Sequence, residues 1–119
     1  YTNPTRDFTY VLDTREAIYN ILISKKTIGE ELNIGTGKEI SIKDLTSLIM
    51  NKLSTDKILK VDNVRIRTEK SEVDRLCCNS EKLNKLINWR SRIDLDKGLD
   101  LTIEWFKKNH TYLSENYHV

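Results

Sequence analysis

The chain has 119 residues, one domain's length, with 20 basic and 18 acidic side chains that leave a net charge of +2. That balance argues against a general nucleic-acid binder, which carries a basic excess on one face. No apolar run approaches the roughly 20 residues that span a bilayer, so neither nucleic acid nor membrane is expected as a partner. Apolar residues make up 38% and charged residues 32%, a polar but patterned composition, and a chain this long can bury about two-thirds of its unfolded surface. Cys77 and Cys78 are adjacent, a spacing that suits neither an ordinary disulfide nor a zinc site. They read as reduced thiols and the chain as cytoplasmic. The first residue is Tyr1 and not methionine, which reads as processing or as a piece of something longer.

In chain order, "RDFTYVLD" (6–13) alternates Phe8, Tyr10 and Leu12 with other residues and predicts a short strand or extended segment. Asp13 is a candidate N-cap for a helix that places Ala17, Ile18, Ile21 and Leu22 at helical spacing and ends before Gly29. "ELNIG" then predicts a strand closed by Gly35 and Gly37. Ser41 and Asp44 make a capping box, with Asp in the place of the usual Glu, ahead of the apolar series Ile42, Leu45, Leu48, Ile49 and Leu53. "KILKV" (57–61) reads as another strand. A short helix capped by Asn79 or Ser80 packs through Leu83, Leu86 and Trp89. A last helix begins at Asp94 or Asp96 and carries Leu95, Leu99, Ile103 and Phe106, with Trp105 beside them. Both tryptophans fall in helical apolar patterns and are expected in the core, as is Tyr10. The tail from Tyr112 to Val119 is expected to fray.

Strands alternating with helices over short connections predict an α/β fold with parallel pairing, few short strands and four main helices. Three short strands are a small sheet for a free-standing α/β domain, and the pattern looks like the end of a larger fold. One stretch resists a simple reading: "VRIRTEKSEVDRL" (64–76) is a solvated loop, a nucleic-acid patch or a clamp for something small and anionic. Its four basic and three acidic residues between 64 and 75 are poor footing for a phosphate-backbone binder. Composition alone leaves the self-paired loop and the anion clamp both open. Arg6, likewise, reads either as a partner of Asp7 or as an anion ligand. His110 and His118 have no ligand partners in the pattern, so no metal site is expected.

Four segments occur in an order and spacing that resemble one family: "TRDFTYVLDTREAIYNIL", "GEELNIGTGKEISIKDL", "RIRTEKSEVDRL" and "KLINW…LDKGLDLTIEWF". They are similar to the C-terminal portion of extended short-chain dehydrogenases/reductases, the NAD-dependent sugar-nucleotide epimerases and dehydratases. The likeness runs from about Pro4 to Lys108 and is greatest to 4,6-dehydratases of the legionaminic-acid type, where a "PTRDF" opening and a "RIRPEKSEV" segment occur together. In that family the N-terminal half carries the glycine-rich dinucleotide fingerprint and a Tyr-x-x-x-Lys catalytic pair. Gly35 and Gly37 lack the third glycine of the fingerprint, and none of the five tyrosines has lysine four positions on.

The resemblance therefore implies that residues 1–119 are the substrate-binding region: the last Rossmann strand and helix plus the small substrate-binding lobe. It implies a parent enzyme that uses NAD, bound mainly by an absent N-terminal part, with no cofactor, metal or catalytic residue expected in this chain and no turnover by it alone. By position, Arg6 and Arg67 face the diphosphate of a nucleotide-sugar, Arg65 assists, and Glu72 reaches the ribose. Guanidinium forks suit phosphates and a carboxylate suits vicinal hydroxyls. Thr68 stands where the family has proline. The missing N-terminal domain is an expected partner, and without it the helix after Asp13 should expose an apolar face prone to self-association. The alternative is a free-standing small α/β module that binds a phosphate-containing ligand or a protein.

Overall fold

A computed structural model describes residues 2–56 and 73–109. Among these, three two-residue strands form one sheet: β1 (Thr5–Arg6), β2 (Ile40–Ser41) and β3 (Arg75–Leu76). Four α-helices accompany them: α1 (Val11–Ile23), α2 (Ile42–Leu53), α3 (Glu81–Ile87) and α4 (Leu95–Asn109). The strand order is β2-β1-β3, with β1 antiparallel to β2 and parallel to β3. The sheet is thus mixed, where alternation of strands and helices alone predicts parallel pairing. The expected strand at 57–61 and the tail from Tyr112 lie outside the described residues.

The first helix begins earlier than its sequence suggests. The Tyr10 carbonyl accepts from both Asp13 and Thr14 backbone N–H groups, at 3.0 and 3.2 Å, so α1 starts at Val11 and Tyr10 holds the cap position without a side-chain bond. Asp13 therefore sits inside the first turn and does not cap the helix. At the other end, the buried Thr27 hydroxyl donates to the Ile21 and Ser24 carbonyls at 2.7 and 2.8 Å, satisfying acceptors a helix end leaves open. Gly29 follows at φ +76°, in the left-handed region that favours glycine.

The other helix starts follow local chemistry. Ser41 Oγ accepts the Asp44 N–H at 3.0 Å, the capping half of the expected box, and donates to the Asp44 carboxylate at 2.6 Å. Asn79 Oδ1 accepts the Glu81 N–H at 2.9 Å, and Asp94 Oδ1 accepts the Lys97 N–H at 2.8 Å. Asn88, at φ 53°, ends α3 in the left-handed conformation.

Ala17, Leu83 and Trp89 form the buried core, with Ile21, Leu32, Ile34 and Ile87 packed on it. Leu32 and Ile34 turn to the same side, as the alternation in "ELNIG" requires. The segment nonetheless has no ladder partner among the described residues. Lys52 of α2 reaches Asp96 and Asp100 of α4 at 2.7 and 2.8 Å, tying those helices together.

Two apolar surfaces face outward. On α1, Val11, Leu12, Ile18, Tyr19, Leu22 and Ile23 are all exposed, Leu22 to 78%. On α4, Trp105 is 54% exposed and stacks edge-on against Phe106, ring centroids 5.2 Å apart. Trp105 is thus not a core residue: Leu99 and Ile103 take the half-buried face of α4, and Trp105 lies off that face near the helix end. Tyr10 does pack, its ring lying against Gly98, where an added Cβ would approach Tyr10 Cβ to 3.4 Å.

Candidate functional site

The central strand gathers the site. In register across the sheet, Thr5 pairs with Ser41 and Arg75, and Arg6 pairs with Ile40 and Leu76. Paired residues project to one side of a sheet, so Arg6 shares its side with Ile40 and Leu76. On the side of Thr5 lies a polar cluster. Thr5 Oγ1 donates to Glu39 at 2.6 Å, and Arg75 donates to both Glu39 oxygens, through Nε at 3.1 Å and through Nη2. The Arg75 fork, and then the Thr5 hydroxyl, hold the Glu39 carboxyl below the usual carboxylate range. Glu39 in turn raises Arg75.

Asp7 directly follows Arg6 and is bound by four donors from two distant segments. The Thr36 N–H donates to it at 3.1 Å, the Gly37 N–H at 2.8 Å and the Cys78 N–H at 3.3 Å, and the Thr36 hydroxyl adds a fourth bond. The Asp7 N–H meanwhile donates to the Leu76 carbonyl at 3.0 Å. Gly35 is needed at this junction, because a Cβ there would lie 2.2 Å from Cys78 Cβ and 3.0 Å from Asp7 Oδ2. The Cys78 thiol is pushed up first by burial, then by the Asp7 carboxylate and Cys77.

Beside the junction is a cavity of about 190 Å³, lined by Phe8, Thr36, Lys38, Glu39, Arg92 and Asp94 among others. Arg92 also pairs with Glu16 at 3.2 Å. The buried Asp13 fixes this wall: its Oδ2 accepts from Ser91 Oγ at 2.7 Å, Arg92 N at 3.0 Å and Ile93 N at 2.9 Å.

Of the residues singled out in the sequence, Arg6 lies on β1, where its Nη1 donates to the Thr5 carbonyl at 2.8 Å. Arg65, Arg67 and Glu72 lie outside the described residues, as do His110 and His118. The segment that contains the first three re-enters at Val73 and becomes β3, the parallel neighbour of β1. The motif that holds Arg6 and the end of the arginine stretch are therefore adjacent strands. Sequence reasoning missed Asp7 as a hub and Asp13 as the anchor of 91–93. A carboxylate beside a motif arginine and another opening a helix invite local readings, and their donors come from far along the chain.

The amides of Thr36 and Gly37, those a glycine-rich loop would offer to a phosphate, both point at Asp7.

The family model for GDP-mannose 4,6 dehydratase matches residues 2–102. The chain belongs to this family of NAD-dependent sugar-nucleotide epimerases and dehydratases. It is 32% identical over 108 residues to a putative UDP-glucose 4-epimerase of Methanocaldococcus jannaschii, covering 91% of this chain and 33% of that protein. It is 36% identical over 110 residues to the dTDP-D-glucose 4,6-dehydratase of Homo sapiens, covering 88% and 30%. Among solved structures it is similar to the UDP-glucuronic acid 4-epimerase from Bacillus cereus in complex with UDP-glucuronic acid and NAD. The TM-score is 0.77 with 25% identity, over 90% of this chain and 33% of that one. The chain spans about a third of the length of the relatives it matches. The mixed α/β fold is that of these neighbours, and no described helix is long and apolar enough to cross a membrane.

Proposed function

We propose that this chain is the substrate-binding part of an NAD-dependent nucleotide-sugar 4,6-dehydratase or epimerase, and that it does not turn over substrate alone. Arg6 and Arg67 bind the diphosphate, Arg65 assists, and Glu72 accepts hydrogen bonds from the ribose hydroxyls. The observation that carries this reading is the parallel pairing of β1 with β3, in register Arg6 to Leu76. It puts the strand of Arg6 beside the end of the segment that contains the other three, as a two-sided clamp requires. Residues 1–119 act as one region. In the whole enzyme NAD is held mainly by a part that this sequence does not contain, in keeping with a Thr36–Gly37 loop already occupied by Asp7.

The "RDF" and "RIRTEKSEV" segments favour a dehydratase of the legionaminic-acid type within this class. The outward apolar face of α1 favours a chain that docks on a further domain, or on itself, over a free-standing module. The unpaired thiols of Cys77 and Cys78 fit a reducing compartment, and the cytoplasm is the proposed location.

Calorimetric titration with UDP-N-acetylglucosamine and with UDP, repeated on Arg67→Ala, tests the reading. Binding that is lost in the variant supports the clamp. A folded chain that binds neither ligand, alone or with the N-terminal half supplied in trans, removes it.

A further inference from the structure

Two-residue strands make a weak frame. Each pairing of β1 supplies only a few ladder bonds, and strands this short do not hold a register by themselves. Something else must keep Arg6 in a constant relation to the segment that becomes β3. The structure assigns that task to Asp7: we propose that it is the positioning residue for Arg6 at the diphosphate, acting through the backbone of β1. This rests on the diphosphate role given to Arg6 above.

Three features of the geometry support it. Asp7 is bonded to Arg6 through the backbone, so any displacement of one moves the other. Its carboxylate takes N–H groups from Gly37, 30 residues away, and from Cys78, 71 residues away. One side chain thus joins β1, the loop before β2 and the chain just after β3. The fit is also close: a Cβ at Gly35 would lie 2.2 Å from Cys78 Cβ and 3.0 Å from Asp7 Oδ2, so the loop packs directly on this joint. A carboxylate holding several N–H donors at once is a stiff joint, since charge-assisted bonds are stronger than neutral ones and here they restrain two different segments. An amide in its place keeps the shape but turns one acceptor oxygen into a donor that faces other donors.

Asp7 touches no part of the ligand in this scheme, and its effect must therefore pass through Arg6. That separates positioning from general stability in a double-mutant cycle. UDP binding would be titrated on the chain and on Asp7→Asn, Arg6→Lys and the double variant, each checked for folding by far-UV circular dichroism. Asp7→Asn is expected to weaken UDP about tenfold when Arg6 is present and less than about twofold in the Arg6→Lys background. If Asp7→Asn does not fold, Thr36→Ala replaces it. Removing that one hydroxyl donor should weaken UDP about threefold with Arg6 present. It should change nothing in the Arg6→Lys chain, where an ammonium replaces the fork that Asp7 positions. Equal losses in both backgrounds, or no loss in either, overturn the positioning role and leave the clamp standing. A wild-type chain that binds no UDP, alone or with the N-terminal half supplied in trans, overturns the clamp itself, and this role with it.

Discussion

Asp13 and Ile93 stand 80 positions apart, yet the Ile93 N–H donates to the Asp13 carboxylate at 2.9 Å. The same oxygen accepts from Arg92 N and Ser91 Oγ. The first turn of α1 thereby fixes the loop that leads into α4 and lines the cavity with Arg92 and Asp94. Replacing Asp13 by Ala strands the Arg92 and Ile93 N–H groups beside a buried position, while the Ser91 hydroxyl keeps the Ile93 carbonyl at 3.4 Å. The expected loss is about 2–3 kcal/mol, since an unsatisfied buried group costs more than a made bond returns. Urea unfolding of Asp13→Ala against wild type checks it, and Ser91→Ala, which removes one donor and strands nothing, should lose about 1 kcal/mol or less.

Gly35 makes a sharper steric prediction. A methyl group there meets Cys78 Cβ and Sγ at 2.2 and 2.6 Å, too close for any rotamer to relieve. Gly35→Ala should destabilise the chain by about 1–3 kcal/mol, the range for overpacking a filled site. Cys78→Gly deletes both clashing atoms. The double variant Gly35→Ala with Cys78→Gly should therefore be more stable than the sum of the two single changes predicts. Additive losses in the denaturation midpoints would mean that the two residues do not share this contact.

The residues that local chemistry governs were legible in advance. Ser41 caps its helix through the Asp44 N–H, Asn79 and Asp94 bond the first turns they precede, and Leu32 and Ile34 face the core as their alternation requires. What failed needed distant partners. Asp13 has the composition of a cap, but its bonds go to 91–93. The segment 31–35 has the pattern of a strand, but pairing is a property of two segments, and no neighbour lies beside it among the described residues. Trp105 has core-like spacing, yet helical periodicity says which side is apolar and not what covers it. The candidate site divides in the same way. Arg6 was singled out from a motif and its role stands as a proposal, whereas the hub beside it took shape only when Thr36, Gly37 and Cys78 came together from 29 to 71 residues away.

The Arg75–Glu39 pair gives a pH dependence of known sign. Hydrogen bonds from Arg75 and Thr5 lower the folded-state pKa of Glu39 from its ordinary 4.5. A carboxylate with a depressed folded pKa contributes stability above its unfolded pKa and loses it as pH falls through the folded value. The melting temperature of wild type should exceed that of Glu39→Gln by a constant margin at neutral pH, and the margin should shrink below about pH 4.5. Arg75 is largely exposed, so added salt should narrow the neutral-pH margin as well. A margin that grows on acidification contradicts the assignment.

The two tryptophans should respond unequally to truncation. Trp89 is 3% exposed and packs with Ala17 and Leu83. Trp89→Ala should lose about 3–5 kcal/mol, the range for deleting a buried aromatic ring. Trp105→Ala gives up its edge-on contact with Phe106 and little else, so the expected loss is below about 1 kcal/mol. Chemical denaturation of the two variants separates the cases.

The face of α1 leads to a prediction about association. Val11, Ile18 and Leu22 recur at helical spacing on one stripe, and Leu12, Tyr19 and Ile23 on the next, all exposed. Ala17 and Asp13 occupy the buried side. A stripe this apolar facing water favours contact with any complementary apolar surface, a second copy of the chain included, because each covered side chain returns about 25 cal/mol per Å² removed from water. Sedimentation equilibrium should show mass rising with concentration. Ile18→Lys with Leu22→Lys should shift the equilibrium toward monomer by at least about tenfold, since two desolvated cations replace two favourable burials. The unfolding midpoint of a dilute monomer should change little, because neither side chain is part of the core of Ala17, Leu83 and Trp89. Supplying in trans the N-terminal part proposed above should suppress self-association if it covers the same stripe. A wild-type chain that stays monomeric at every concentration, while the double lysine variant is unchanged, would show that the stripe is tolerated in water and needs no partner.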